Sequence, residues 1–96
     1  MIEPKLVAAT EPLLDQVIQL NSLSSLEVWS SESFRNCIHD ESFDFQLMLL
    51  GDERLTGFYL SRGIGSEAEL IKIAVAPRCR GRGYGAFLLT NCLLRA

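Results

Sequence analysis

A mixed α/β layer with an antiparallel meander at its centre is the fold class that this sequence predicts. Three observations lead there. Residues 43–50, 55–61 and 68–75 have strand character and follow one another with short connections. Apolar residues at helical spacing precede them, and a leucine-rich helical run follows. Between the last strand and that run lies a loop of arginines and glycines. Elements with one apolar face each are expected to bury those faces against one another in layers.

Taken in order, residues 4–9 read as a short first strand. Thr10 is placed to cap a helix, with Glu11 and Pro12 in its first turn, where an acid and a proline are both favoured. Leu13, Leu14, Val17 and Ile18 share one helical stripe, which is expected to fade at the polar residues 21–25. Ser30 or Ser31 can cap a second, short helix carrying Phe34 and Ile38. In residues 43–50, Phe43, Phe45 and Leu47 face one way, and Asp44 and Gln46 the other. Gly51, Asp52 and Glu53 suit a hairpin turn, and residues 55–61 form the return strand. Residues 62–66, with Gly63 and Gly65, are expected to be a loop before the strand at 68–75. Pro77 has no N–H to give a sheet ladder, so it ends that strand. A helix then runs from Gly83 to the last residue.

With 96 residues, 48% apolar and 22% charged, the chain has the balance of one globular domain and not of a disordered segment. No apolar run is long enough to span a bilayer, so no membrane partner is expected. The start, with Glu3 and Pro4, lacks the basic and apolar regions of a secretion signal. Cys37, Cys79 and Cys92 form no CxxC pair, which argues against a disulfide framework or a zinc knuckle. No metal is expected, and a reduced cytoplasmic location is. Charge is unevenly placed. Residues 1–69 hold twelve acids and four bases, a balance of −8, whereas residues 70–96 hold five bases and no acid. Nucleic acid is disfavoured as a partner, because the basic patch is short and only Tyr84 is interleaved with it.

The chemistry concentrates in residues 71–86, IKIAVAPRCRGRGYGA. A strand runs into an Arg/Gly loop, which runs into a helix. The first turn of a helix presents unpaired N–H groups and partial positive charge, and so attracts phosphate. Glycines allow close approach, and Arg80 and Arg82 add formal charge. A Walker loop would need Gly-Lys-Ser/Thr, which is absent, and the spacing of Gly81, Gly83 and Gly85 does not fit a dinucleotide fingerprint. What matches is Arg80-x-x-Gly83-x-Gly85 after Ile73-Ala74-Val75. This resembles motif A of the GNAT superfamily of acetyl-coenzyme A-dependent N-acetyltransferases. The resemblance implies a GNAT fold with acetyl-CoA as co-substrate. Ile73, Ala74 and Val75 would line the pantetheine and acetyl group. Arg80, Gly81, Arg82, Gly83, Tyr84, Gly85 and Ala86 would cradle the pyrophosphate. A glycine-rich turn that only stabilises a strand–helix junction is the structural alternative.

Trp29-Ser30, Ser33-Phe34, Phe45-Gln46-Leu47 and LIKIAVAP resemble the ribosomal-protein-alanine (RimI-type) branch more closely. That branch implies a peptide or protein N-terminal amine as acceptor, from a ribosomal protein in the branch itself. An α-amine, with a pKa of about 7.7–8.0 against about 10.4 for lysine, needs less deprotonation before attack. The acidic residues 1–69 would suit a basic acceptor. Trp29 and Phe34 are read as core or loop anchors in preference to acceptor contacts. The resemblance implies that the family continues past the loop helix with another strand, another helix and a final hairpin, and that in the alanine-acetylating branch a glutamate on that strand is the general base and a tyrosine further on the general acid. The chain is therefore expected to be the N-terminal portion of such a domain over residues 1–96, divided into 4–61 and 68–96. No catalytic residue is carried over. Glu69, on the strand before the loop, is the one alternative base, and a charged strand-start residue is the plainer reading. His39 is expected at the surface, and Cys79, between arginines, is a site for oxidation. The strand at 68–75 would present an open edge, and apolar residues among Phe87, Leu88, Leu89, Leu93 and Leu94 would be exposed, so self-association as a homo-oligomer is expected. Three readings follow: an N-terminal acetyltransferase, a non-catalytic coenzyme-binding or structural remnant, and a GNAT enzyme acting on a small-molecule amine.

Overall fold

The structure, a computed structural model, describes residues 3–24, 29–51 and 54–95. Four strands form one sheet in the order β1-β2-β3-β4: β1 (Pro4–Ala8), β2 (Phe43–Leu50), β3 (Arg54–Ile64) and β4 (Glu67–Val75). All three pairings are antiparallel, so the mixed α/β character expected above does not lie in strand direction among the described residues. The mixture lies in the layers. Helices α1 (Leu14–Ser24) and α2 (Ser31–His39) cover one face, and α3 (Tyr84–Arg95) covers the other.

Alternation along β2 and β3 divides the core between the two faces. Phe45, Leu47, Phe58 and Leu60 point to the α1/α2 side, where Leu14, Val17 and Leu20 bring one buried helical stripe onto them. Phe34 of α2 is fully buried there, with ring centroids 5.9 Å from Phe45 and 6.0 Å from Phe58. Trp29 lies 5.2 Å from Phe34, so both act as core anchors. On the other side Met48 and Tyr59 meet Leu88 and Cys92 of α3.

The structure departs from the sequence reading at several points. Thr10 makes no side-chain cap; Glu11–Leu13 instead form a single 3₁₀ turn with Pro12 in its first positions, and Leu13 N donates to Thr10 O at 3.1 Å. Ser30 does cap α2, accepting from Ser33 N at 3.1 Å. Residues 62–64 are not loop. They continue β3, because Arg62, Gly63 and Ile64 pair with Glu69, Ala68 and Glu67, and only Gly65 and Ser66 turn. Of the expected β2–β3 turn, Asp52 and Glu53 lie outside the described residues, as does Ser25. Cys79 is buried in the core, so its thiol is shielded and not poised for oxidation. His39 is exposed, as expected, with Nε2 3.8 Å from Glu11 Oε1. Leu88 is core, whereas Leu89, Leu93 and Leu94 are exposed.

One glycine positions α3. A Cβ on Gly57 would lie 2.7 Å from Ala74 O, and 3.1 Å from both Leu88 Cδ1 and Met48 Cε. A bare Cα here lets β4 and α3 approach the middle of β3 closely. At the far end of the helix, Arg95 Nε donates to Asp44 Oδ2 at 3.1 Å, and the fully buried Tyr59 donates its hydroxyl to the same oxygen at 2.6 Å.

Candidate functional site

β4 is an edge strand of the described sheet, and it is irregular. Leu60 pairs with Lys72 and Ser61 with Leu70, so Ile71 is an extra residue in β4. Such bulges bend an edge strand and re-aim its side chains. Beyond the bulge, Ile73 is exposed and Ala74 is buried.

The junction after β4 is tied down by main-chain bonds. Ala76 N donates to Thr56 O at 2.7 Å, and Pro77–Cys79 form a 3₁₀ turn closed by Cys79 N to Ala76 O at 2.8 Å. The Cys79 side chain roots this turn in the core. Arg80 folds back, its Nε donating to Val75 O at 3.2 Å. Gly81 and Gly83 then adopt φ of 79° and 83°, a left-handed conformation that strongly favours glycine. Two such residues bring α3 to its start at Tyr84, and Phe87 N donates to Gly83 O at 3.0 Å.

This path leaves donors unused. The N–H groups at the start of α3 precede the first i→i−4 bond and have no partner within the helix. Among the described residues, no protein acceptor meets the N–H of Gly81, Arg82 or Gly83 either. Beside them lies a cavity of about 330 Å³, lined by Ile73, Ala74, Val75, Arg80, Gly81 and Gly85. A Cβ on Gly85 would meet nothing within 4 Å, so this position opens onto free space.

Six of the ten site residues expected from the sequence therefore share one cavity. Gly83 and Ala86 do not line it. Tyr84 is half-buried and packs against both halves of the core, so its side chain anchors the helix. Arg82 lines a different cavity, with Arg54, Arg78 and Cys79. Glu69 is exposed on β4, with Arg62 as its cross-strand partner. Among the described residues, no carboxylate or imidazole lines the cavity itself. Gly57, the Ile71 bulge and the Asp44–Tyr59–Arg95 cluster went unread in the sequence; a glycine inside the apolar run LTGFYL was the available signal for the first.

The Asp44 cluster is the strongest electrostatic feature. Burial pushes the Asp44 carboxyl up, but the Tyr59 hydroxyl, the Arg95 guanidinium and the Gln46 amide outweigh it, and the net shift is downward. Tyr59 is held well above the usual phenol range, by burial first and then by Asp44. Among the described residues, no group of three His, Cys, Asp or Glu is placed to hold a metal. No described helix is long and apolar enough to cross a membrane.

In this α/β domain, a sheet edge lies beside a guanidinium, two left-handed glycines and amides without a partner among the described residues. The sequence matches the model of the Acetyltransferase (GNAT) family over residues 14–96, and the chain belongs to that family. No curated protein sequence matched. Among solved structures, the ribosomal-protein-S18-alanine N-acetyltransferase from Escherichia coli is similar, with a TM-score of 0.84 and 18% identity, covering 97% of this chain and 59% of that one. The chain thus spans 59% of the length of that enzyme. N-acetylglutamate synthase from Neisseria gonorrhoeae, complexed with coenzyme A and N-acetyl-glutamate, has a TM-score of 0.73 and 22% identity over 97% of this chain and 22% of that one. Spermidine/spermine N-acetyltransferase SpeG from Vibrio cholerae has a TM-score of 0.76 and 21% identity over 94% of this chain and 60% of that one. At these identities the three share the fold with this chain.

Proposed function

We propose that this chain binds acetyl-coenzyme A along β4 and serves acetyl transfer to the N-terminal amine of a protein or peptide. The observation that carries the reading is the set of unpaired amides at Gly81, Arg82 and Gly83, set beside Arg80 and the apolar wall of Ile73, Ala74 and Val75. The donors and the wall fit a diphosphate joined to an extended apolar arm. Arg80, Gly81 and the first turn of α3 would hold the diphosphate, and Ile73, Ala74 and Val75 would flank the arm. Bound acetyl-coenzyme A supplies an activated acyl group that a neutral amine can attack. The chain's part is to fix that group beside the acceptor, which removes translational freedom from the reaction.

The choice of acceptor rests on the likeness to the S18-alanine enzyme, on the low basicity of an α-amine and on the acidic balance of residues 1–69. The buried, unpaired cysteines suit a reducing, cytoplasmic location. Self-association through the β4 edge belongs to the same reading, since Leu70 and Ile73 on that strand and Leu89, Leu93 and Leu94 on α3 are exposed. Light scattering tests it: a mass of 10.7 kDa, that of one chain, at all concentrations refutes it.

A second reading, coenzyme binding without transfer, is favoured by one observation: among the described residues, no carboxylate or imidazole lines the cavity. Titration calorimetry with acetyl-coenzyme A tests the shared part, and micromolar binding is expected. Absence of heat, with no amide shifts across residues 73–86, overturns both readings. Transfer to an alanine-starting peptide in preference to spermidine supports the first, and binding without transfer to either supports the second.

A further inference from the structure

β2 begins, β3 ends and β4 begins around a cavity of about 460 Å³ on the α3 side of the sheet. It lies at the opposite end of β4 from the groove beside Ile73, Ala74 and Val75, and the two cavities share no residue. Ser61 lines it at 5% exposure, opposite Asp44 in the β2–β3 ladder. The Ser61 hydroxyl has no hydrogen-bond partner among the described residues. Buried polar groups are nearly always hydrogen-bonded, so an unpartnered hydroxyl that faces a cavity points to a partner entering from outside.

The charge around Ser61 says what that partner is. Glu41, Asp44 and Glu67 bring three carboxylates to the cavity, and Arg95 is its one basic side chain among the described residues. Arg95 is committed to Asp44, which also accepts from Tyr59 and Gln46. Arg62, next to Ser61 in the chain, lies over the Phe43 ring and does not line the cavity. The side chain of Ile64 and the residue Ala96, which adjoin the lining in sequence, lie outside the description and hold no basic group. Glu41 and Glu67 make no hydrogen bond or ion pair with any described residue. Two uncommitted carboxylates accept and do not donate, and a serine hydroxyl can accept as well, so the set selects a donor of positive charge. A single metal ion does not answer to it, since among the described residues no three acids are placed to share one. Glu41 precedes β2 and Glu67 starts β4, so the charges come from separate segments. An organic cation with an ammonium at each end of a short chain reaches both, each end offering three N–H donors. The volume lies within the range of small-molecule sites.

We propose that this cavity binds a small aliphatic diammonium ion through Glu41, Glu67 and the Ser61 hydroxyl, at a site separate from the coenzyme groove. The test uses 1,4-diaminobutane as probe, at low salt, on the whole chain labelled with nitrogen-15. Saturable shifts are expected in the amides of residues 41, 42, 61 and 66–68. They should persist when coenzyme A is added to excess. Butylamine, with one charge, should bind more weakly, and neither 1,4-butanediol nor magnesium chloride should reproduce the shifts. The double substitution E41Q/E67Q should weaken binding at least about tenfold, because two charge-assisted contacts are lost. Both positions are exposed, so its thermal midpoint should stay unchanged. Ser61→Ala should weaken binding about tenfold while leaving the midpoint unchanged or raised, because a buried hydroxyl without a protein partner contributes nothing to the fold. A fall in the midpoint of Ser61→Ala would show that the protein itself uses this hydroxyl, and the proposal would fail. It fails equally if binding is not saturable, if neither variant weakens it, if coenzyme A displaces the diamine, or if the shifts are confined to residues 73–75, 80, 81 and 85. A lysine-rich peptide that shifts these amides where the diamine does not would make the cavity a protein-docking surface and overturn the proposal. If the chain acetylates 1,4-diaminobutane and E41Q/E67Q abolishes the transfer, the cavity is an acceptor seat and the separate site falls. Binding of the diamine by a chain that fails to bind coenzyme A upholds this proposal while removing the one under Proposed function.

Discussion

Replacing Gly57 with alanine should destabilise the chain through a single methyl group. The added Cβ would stand 2.7 Å from Ala74 O. An ordinary C–H···O contact is about 3.3 Å, so the shortfall is about 0.6 Å. The neighbour that must yield is a main-chain carbonyl of β4, which cannot rotate away as a side chain can. Leu88 Cδ1 and Met48 Cε, both at 3.1 Å, close the remaining directions. Overpacking a core costs about 1–3 kcal/mol, and a backbone partner places this site in the upper half, at about 2–3 kcal/mol. For a domain of this size each kcal/mol moves the thermal midpoint by about 4–8 °C, so a fall of about 8–24 °C is expected. Thermal unfolding followed by circular dichroism, with urea unfolding as a second measure, reads the effect. Gly85→Ala is the control, since its Cβ meets nothing. An unchanged midpoint in Gly57→Ala would mean that β3, β4 and α3 do not meet as closely as described, and the account of how α3 is positioned would fail.

Gly85→Ala should itself keep or slightly raise stability, as alanine is the better helix former by about 1 kcal/mol, while weakening coenzyme A binding at least tenfold by calorimetry, because its methyl enters the groove. Tyr59→Phe removes a buried donor to a charged oxygen and should cost about 1.5–3 kcal/mol in urea unfolding. The Asp44 carboxyl titrates lower in the folded chain than in the unfolded one, so its contribution is present above the unfolded carboxylate pKa of about 3.9 and is lost as the pH falls through the folded value. Asp44→Asn should therefore flatten the acid limb of the stability profile as the pH falls below the unfolded carboxylate pKa of about 3.9. Ser30→Ala removes the cap on α2 and should cost about 1 kcal/mol in thermal or urea unfolding.

What the sequence disclosed follows from where its information is local. The bounds of β2, and a cap at Ser30 or Ser31 of which the structure uses Ser30, were legible because alternation and capping are written within a few residues. The strand–loop–helix unit was legible for the same reason, and six of its expected residues meet in one cavity. The extension of β3 through residues 62–64 was hidden because it rests on the ladder with β4, and Arg62 and Gly63 in it are exposed. Arg82 and Arg80 are two positions apart and identical in type, yet they face different cavities, and no spacing rule reveals which way each turns. The Asp44–Arg95 contact joins residues 51 positions apart, a distance over which only the folded topology carries information.

The positions that hold α3 and the positions that line the groove are different residues, and this separation has a consequence. Leu88 against Gly57 fixes the middle of the helix, Tyr84 packs its first turn into the core, and Arg95 on Asp44 holds its end. Main-chain donors at Gly81, Arg82 and Gly83 are consequently held in place without being used by the protein. Preorganised donors of this kind need little rearrangement when an anion arrives, which lowers the ordering cost of binding. Ile73 is 40% exposed, and Arg80, Gly81 and Gly85 are exposed as well, so these groove residues contribute little to the core, unlike Ala74 and Val75 beside them. Substitutions at Ile73, Arg80 and Gly85 should therefore change coenzyme affinity with little change in stability, whereas substitutions at Gly57, Tyr59 and Leu88 should lower stability first and affinity only through it. A plot of binding loss against stability loss for these six positions should fall into two groups, and a single shared trend would show that helix anchoring and ligand binding are one property.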